Sequence, residues 1–246
     1  MKILFTMLSI ETTNKNYLLS AKNLTNEILK NTKHDVLIST NNTDYFNELN
    51  TDRCVVRNNI QSSSIFKYGG EFNYNLKHHS FINIPEKYDY IVYLDCDIKL
   101  TKWDEKSDEF FINKMVNYNY AADRLNCVLK NEVQEYIDGK SPLFTHKIKS
   151  YNIIEKYELD NDIMESRLPS EHIFILKNDP EKIILFQKKW SEMNNELQIC
   201  ENFNGSWGDG FEIGISANYA GYKQHFDLGP QYWKIIMGFD FNGNKF

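Results

Sequence analysis

The stretch Tyr88-Asp89-Tyr90-Ile91-Val92-Tyr93-Leu94-Asp95-Cys96-Asp97-Ile98-Lys99-Leu100 is an apolar, β-branched and aromatic run that ends abruptly in two carboxylates one residue apart, Asp95 and Asp97. Without helical spacing, such a run reads as a strand buried on both faces. A buried strand cannot keep ionised carboxylates inside without partners. Asp95 and Asp97 should therefore emerge at its C-terminal end, where open α/β sheets place their ligands. Side chains two residues apart on an extended chain point the same way, and two converging acids suit a hard divalent cation that also binds phosphate oxygens. The plainer alternative is a strand-end turn in which both acids are solvated.

The rest of the chain supports an α/β fold. Met1 to Ile10 reads as a first buried strand. Asn14 to Asn31 carries Leu18, Leu19, Leu24, Ile28 and Leu29 near helical periodicity, and Asp35 to Thr40 reads as the next strand. Strand, helix, strand in succession predicts a parallel crossover. A short strand at Cys54-Val55-Val56 and a helix over Glu71 to Ile82 precede the Asp95 strand. Beyond it, Glu109 to Val116 reads as a short helix and Tyr120-Ala121-Ala122 as a strand, while residues 129 to 169 show no clear period. His172 to Leu176 is again a strand, and Asn178-Asp179-Pro180 caps a helix running to about Leu197.

A chain of 246 residues with 41% apolar content is long enough for one large α/β domain, residues 1–246, and the strand-helix-strand pattern makes residues 1–100 look like a nucleotide-binding half. The formal charge of -6, with no basic stripe among the aromatics, argues against nucleic acid as a partner. No stretch approaches the ~20 apolar residues of a transmembrane helix. Met1 to Ile10 lacks a small-residue cleavage site, and Cys54, Cys96, Cys127 and Cys200 show no metal-ligand spacing; both features favour a cytoplasmic protein with free thiols.

Three motifs, Lys2-Ile3-Leu4-Phe5-Thr6, Tyr93-Leu94-Asp95-Cys96-Asp97 and Trp207-Gly208-Asp209-Gly210-Phe211-Glu212 followed by Ala220-Gly221-Tyr222, stand in an order that resembles nucleotide-sugar glycosyltransferases of the GT-A fold. The resemblance implies a single Rossmann-like domain with a mixed, mainly parallel central sheet flanked by helices, and it implies that residues 101–246 are the acceptor-binding and catalytic half. It also implies a metal-dependent transferase that moves a sugar from a nucleotide-sugar, a UDP-sugar first, to a hydroxyl of a glycan or other acceptor. The cofactor would be Mn²⁺ or Mg²⁺, stabilising the charge that develops on the nucleoside diphosphate.

By that resemblance Asp97 is the direct metal ligand, and Asp95 contacts the ribose or the metal. His225 completes the shell, with Asp227 as second choice, because His225 to Gly229 loosely resembles a C-terminal His-x-x-Gly segment with one extra residue. Thr6, Met7, Leu8, Cys96, Trp207 and Gly208 would line the nucleotide-sugar, and one of Lys77, His78 and His79, Lys77 first, would neutralise its diphosphate unless it simply faces solvent. Asp209 is the candidate catalytic acid, either a general base on the acceptor hydroxyl or a contact to the donor sugar, and Glu212 is the alternative base. An Asp just before a helix is also explained by N-capping alone. A nucleotidyltransferase would need a glycine-rich, basic signature after the first strand, which Leu8 to Thr13 lacks. A non-catalytic glycan-binding module would have no use for Asp95, Asp97 and Asp209 together.

Overall fold

The computed structural model describes residues 1–11, 17–60, 74–100, 103–157, 160–199 and 209–229. Seven strands form one sheet: β1 (Ile3–Ser9), β2 (Asp35–Thr40), β3 (Cys54–Arg57), β4 (Tyr90–Leu94), β5 (Tyr120–Ala122), β6 (Ile173–Lys177) and β7 (His225–Asp227), in the order β3-β2-β1-β4-β6-β5-β7. β1 to β4 are mutually parallel, β6 runs antiparallel to both β4 and β5, and β7 is parallel to β5. This is the mixed, mainly parallel sheet that the sequence implies.

Alternation along the central strands explains why helices cover both faces. Tyr90, Val92 and Leu94 of β4 and Ile173 and Ile175 of β6 pack with α1 (Tyr17–Asn31) and with Phe110 and Phe111 of α2 (Glu105–Asn113). Ile91 and Tyr93, with Phe174 and Leu176, face the opposite cluster of Phe186, Trp190 and Ile213. A strand that is apolar at every position is the consequence of two covered faces.

Element boundaries follow local chemistry. α2 begins four residues before the expected helix, because Asp104 and Ser107 form a capping box there. The long helix α7 (Pro180–Ile199) starts at its proline, with Asp179 accepting from the Lys182 N–H. The segment expected to be a helix up to Ile82 is described from Tyr74 as a 3₁₀ helix, Tyr74–Phe81.

The region from 129 to 169 is a correction. It holds four short helices, α3 (Leu129–Ile137), α4 (Thr145–Ser150), α5 (Ile153–Tyr157) and α6 (Asn161–Met164), packed around a cluster that includes Leu129, Ile148, Ile153 and Phe211. Helices of four to nine residues contribute one or two buried side chains each, too few to display a period.

α8 (Gly210–Tyr219) is enclosed on all sides: every residue from Gly210 to Asn218 is buried. Its glycines let it approach the segment before β6. A Cβ on Gly210 would lie 1.9 Å from the Pro169 carbonyl oxygen, and one on Gly214 2.2 Å from that of Arg167. Both obstacles are backbone, so Gly214→Ala should lower stability by ~1–3 kcal/mol, read as a shift in the urea midpoint at unchanged slope. An unchanged midpoint would show that the close approach is not needed.

Candidate active site

The strand order reverses direction between β1 and β4, since β2 and β3 lie on one side of β1 and β4 on the other. Ligands of open α/β sheets bind at the C-terminal ends of strands beside such a switch point. Asp95 sits at that end of β4. Because β6 is antiparallel, its N-terminal end reaches the same rim, and the Asp95 N–H donates to the His172 carbonyl at 3.0 Å.

Asp95 is the hub of a charge cluster. Its Oδ1 accepts from the Tyr93 hydroxyl at 3.0 Å and pairs with Lys77 Nζ at 2.9 Å, while its Oδ2 lies 2.9 Å from His172 Nδ1. Burial alone would raise its pKa, but Lys77 and His172 outweigh burial and hold the carboxyl at about 2. Lys77 is buried yet stays protonated: burial lowers its pKa, and Asp95, Asp209 and Glu171 more than restore it.

Lys77 also lies 3.5 Å from Asp209 Oδ2, an ion pair without a hydrogen bond. Asp209 occupies the N-cap position of α8, but its side chain caps nothing. Instead the carboxylate is 1% exposed, and Oδ2 has no hydrogen-bond partner among the described residues. Burial pushes its pKa up to about 7, against Lys77 and Lys147, with Glu171 and Glu212 adding to the rise. A carboxyl group that titrates near neutrality, in the interior, beside a fixed cation, is suited to exchanging a proton with a reacting group.

Glu212, the alternative base, lies one turn into α8 in a closed environment. Its carboxylate is fully buried and takes Lys147 Nζ at 2.6 and 2.5 Å and the Tyr151 hydroxyl at 2.6 Å. These partners, from α4 and the residue after it, engage both Glu212 oxygens and hold the carboxylate in the interior. Lys147 and His172 were not singled out in the sequence. A signal for His172 existed, since it immediately precedes an apolar run that mirrors the one before Asp95.

The expected nucleotide contacts are placed differently from one another. Thr6, Met7 and Leu8 lie within β1, all buried, with Thr6 Oγ1 donating to the Ser80 carbonyl at 2.9 Å. Their side chains are buried, and because Thr6 is in register with Tyr93 the strand approaches the rim of Asp95 through Met7 and Leu8. Cys96 is buried in the turn after β4, where burial raises its thiol pKa. Cys54, Cys96 and Cys127 are free thiols. Trp207, Gly208 and Cys200 fall outside the described residues.

The expected metal ligands do not assemble. Asp97 is exposed in the turn after β4 and forms no hydrogen bond or ion pair with a described residue. His225 opens β7 and is in register with Tyr120, which pairs with Leu176 opposite Ile91; it is three strands away and at the other end from Asp95. Its Nδ1 is 3.0 Å from the Lys223 carbonyl. Asp227, in register with Ala122, lies nearer the rim. Among the described residues no cluster of three or more His, Cys, Asp or Glu could hold a metal. A cation bound mainly by phosphate oxygens needs only one or two carboxylates from the protein.

Beside the cluster opens a cleft of about 190 Å³ lined by Pro169, Glu171, His172 and Gly210 among others, so it adjoins both Asp95 and Asp209. No described helix is long and apolar enough to cross a membrane.

Neither protein-family models nor curated protein sequences give a match to this chain. Among solved structures it is similar to mouse xyloside xylosyltransferase 1 in its apo form, at 12% identity and a TM-score of 0.43 over 92% of this chain and 84% of that one. It is also similar to the galactosyltransferase LgtC in complex with donor and acceptor sugar analogues, at 11% identity and a TM-score of 0.46 over 93% and 74%. A third likeness is to 4-diphosphocytidyl-2C-methyl-D-erythritol synthase from Anaerococcus prevotii, at 8% identity and a TM-score of 0.37 over 100% and 92%.

Proposed function

We propose that the chain transfers a sugar from a nucleotide-sugar to a hydroxyl acceptor at the rim formed by Asp95, Lys77 and Asp209. The observation that carries this reading is the convergence of Lys77 on both carboxylates, which brings three separate elements together at the switch point of the sheet. Asp209 takes the proton of the attacking hydroxyl, as its elevated proton affinity suits. Lys77 and His172 hold Asp95 in place, so that the wall of the site is fixed before the donor arrives. The crevice between β1 and β4 receives the nucleotide.

Asp97 would hold a Mn²⁺ or Mg²⁺ ion together with the donor's diphosphate, and such an ion stabilises charge on the leaving group. The test is UDP binding by calorimetry with and without Mn²⁺. The parent should bind more tightly with the metal, and Asp97→Ala should lose roughly 10-fold or more of that gain, the size of one charge-assisted contact. His225→Ala should bind like the parent, because His225 lies away from the rim. Equal Mn²⁺-promoted binding by Asp97→Ala and the parent would remove Asp97 from the site.

A further inference from the structure

The cleft beside Asp209 holds more chemistry than proton transfer requires. Arg124, Leu143, Phe144 and Glu171 stand among its walls, and Leu143 is 62% exposed, an apolar surface left open next to two charged groups. Neither the Arg124 guanidinium nor the Glu171 carboxylate makes a hydrogen bond or short ion pair with a described residue.

The backbone of Arg124 adds an independent observation. Its φ is 63°, the left-handed region that favours Gly or Asn and penalises other residues. The turn that imposes this conformation is pinned: the Ser170 N–H donates to the Asp123 carbonyl at 2.8 Å, and the Cys127 N–H to the Arg124 carbonyl at 3.3 Å. Strain of this kind persists where the surroundings over-determine it, and it clusters at ligand clamps. Here it sets an exposed arginine on the edge of the cleft.

The two charges mark the two ends of a ligand. Glu171 is half-buried, adjoins His172 and acts on Asp209, so it belongs to the reacting end. Arg124 is exposed and belongs to the mouth. The volume is below the ~300–1,000 Å³ of pockets that enclose drug-sized ligands, which leaves room for one ring rather than an oligosaccharide.

We infer that the cleft takes one sugar ring of an acceptor that carries an anionic group, carboxylate or phosphate, with Arg124 gripping the anion and Glu171 accepting from the hydroxyl end. This rests on the transferase reading above for the identity of the ligand as acceptor. Arginine's planar fork matches both anions in two-pronged fashion, and the apolar wall of Leu143 and Phe144 covers a ring face.

The experiment compares three probes on the full chain by ligand-observed NMR: methyl β-D-glucuronide, methyl β-D-glucoside 6-phosphate and the neutral methyl β-D-glucoside. One anionic probe should bind the parent roughly 10-fold more tightly than the neutral one, as a charge-assisted bidentate contact provides, and the stronger of the two identifies the anion. Arg124→Gln should erase the preference, and Arg124→Lys, which keeps the charge but not the fork, should fall between. Equal affinities for the three probes, a preference that survives Arg124→Gln, or no binding of either anionic probe would overturn the inference. Donor cleavage by the parent reports separately on the transferase reading. Anion preference without cleavage would leave the cleft assignment standing and sink the transferase, and cleavage without preference would do the reverse.

Discussion

Asp209→Asn is expected to lower turnover by roughly 10²–10⁴-fold while making the protein more stable above neutral pH. Both effects come from one property. The folded protein holds the Asp209 proton up to about pH 7, whereas the unfolded chain releases it near the ordinary value of 3.8. Between these values the folded state binds the extra proton, so this group's contribution to stability falls as pH rises through the window and stays low above it. Asparagine cannot ionise. The variant should therefore match the parent near pH 4 and exceed it by ~1–3 kcal/mol at pH 8, measured by urea unfolding at both values.

The activity profile follows the same titration in the opposite sense. A general base works deprotonated, so kcat/KM of the parent should rise with pH through an apparent pKa near 7, and Asp209→Asn should lack that limb. Asp95 behaves oppositely to Asp209 in stability. Held at about 2 by its partners, it stabilises the fold above the ordinary carboxyl range, and that contribution is lost as pH falls toward 2. An Asp209→Asn variant with parental activity and no pH-dependent gain would return Asp209 to a structural role.

Lys147→Ala should be among the most destabilising single changes, at ~3–5 kcal/mol, because it strands the fully buried Glu212 carboxylate with only the Tyr151 hydroxyl. Replacing the whole pair, as in Lys147→Met with Glu212→Leu, removes both buried charges and should recover most of the loss. Unfolding midpoints of the two variants decide the matter. A double variant no better than Lys147→Ala would mean that Lys147 stabilises by packing its alkyl chain rather than by pairing. The pair ties α4 to α8, so the short helices after β5 are fastened to the helix that carries Asp209.

What could be read from the sequence follows from how local each signal is. β4 was legible because it is apolar and aromatic at every position of a doubly covered strand, β2 because of its Val36-Leu37-Ile38 run, and α7 because Asp179-Pro180 is a self-contained start signal. Asp95 was legible because a carboxylate ending such a strand has few places to go. The four short helices were not, since their stability comes from one shared cluster and not from a period within each.

The site was only half visible for the same reason. Asp95 and Asp209 stood out, but their joining through Lys77 spans more than one hundred residues and depends on a fold that no short window encodes. Glu212 was the alternative to Asp209 in the sequence, and its buried partners, Lys147 at 65 residues' separation and the Tyr151 hydroxyl, are contacts that no short window displays. His225 shows the limit of a motif-like spacing, because only the strand register places it three strands from Asp95 and level with Ile91.

The central claim is that this rim breaks the bond between a sugar and a nucleoside diphosphate. Incubating the full chain with a panel of nucleotide-sugars and Mn²⁺, and following release of the nucleoside diphosphate, tests it most directly. The parent should slowly cleave at least one donor, a UDP-sugar first among them, and Asp209→Asn and Asp97→Ala should lose that cleavage. Release of pyrophosphate or of a sugar phosphate in place of the diphosphate, or no cleavage of any donor, would contradict it.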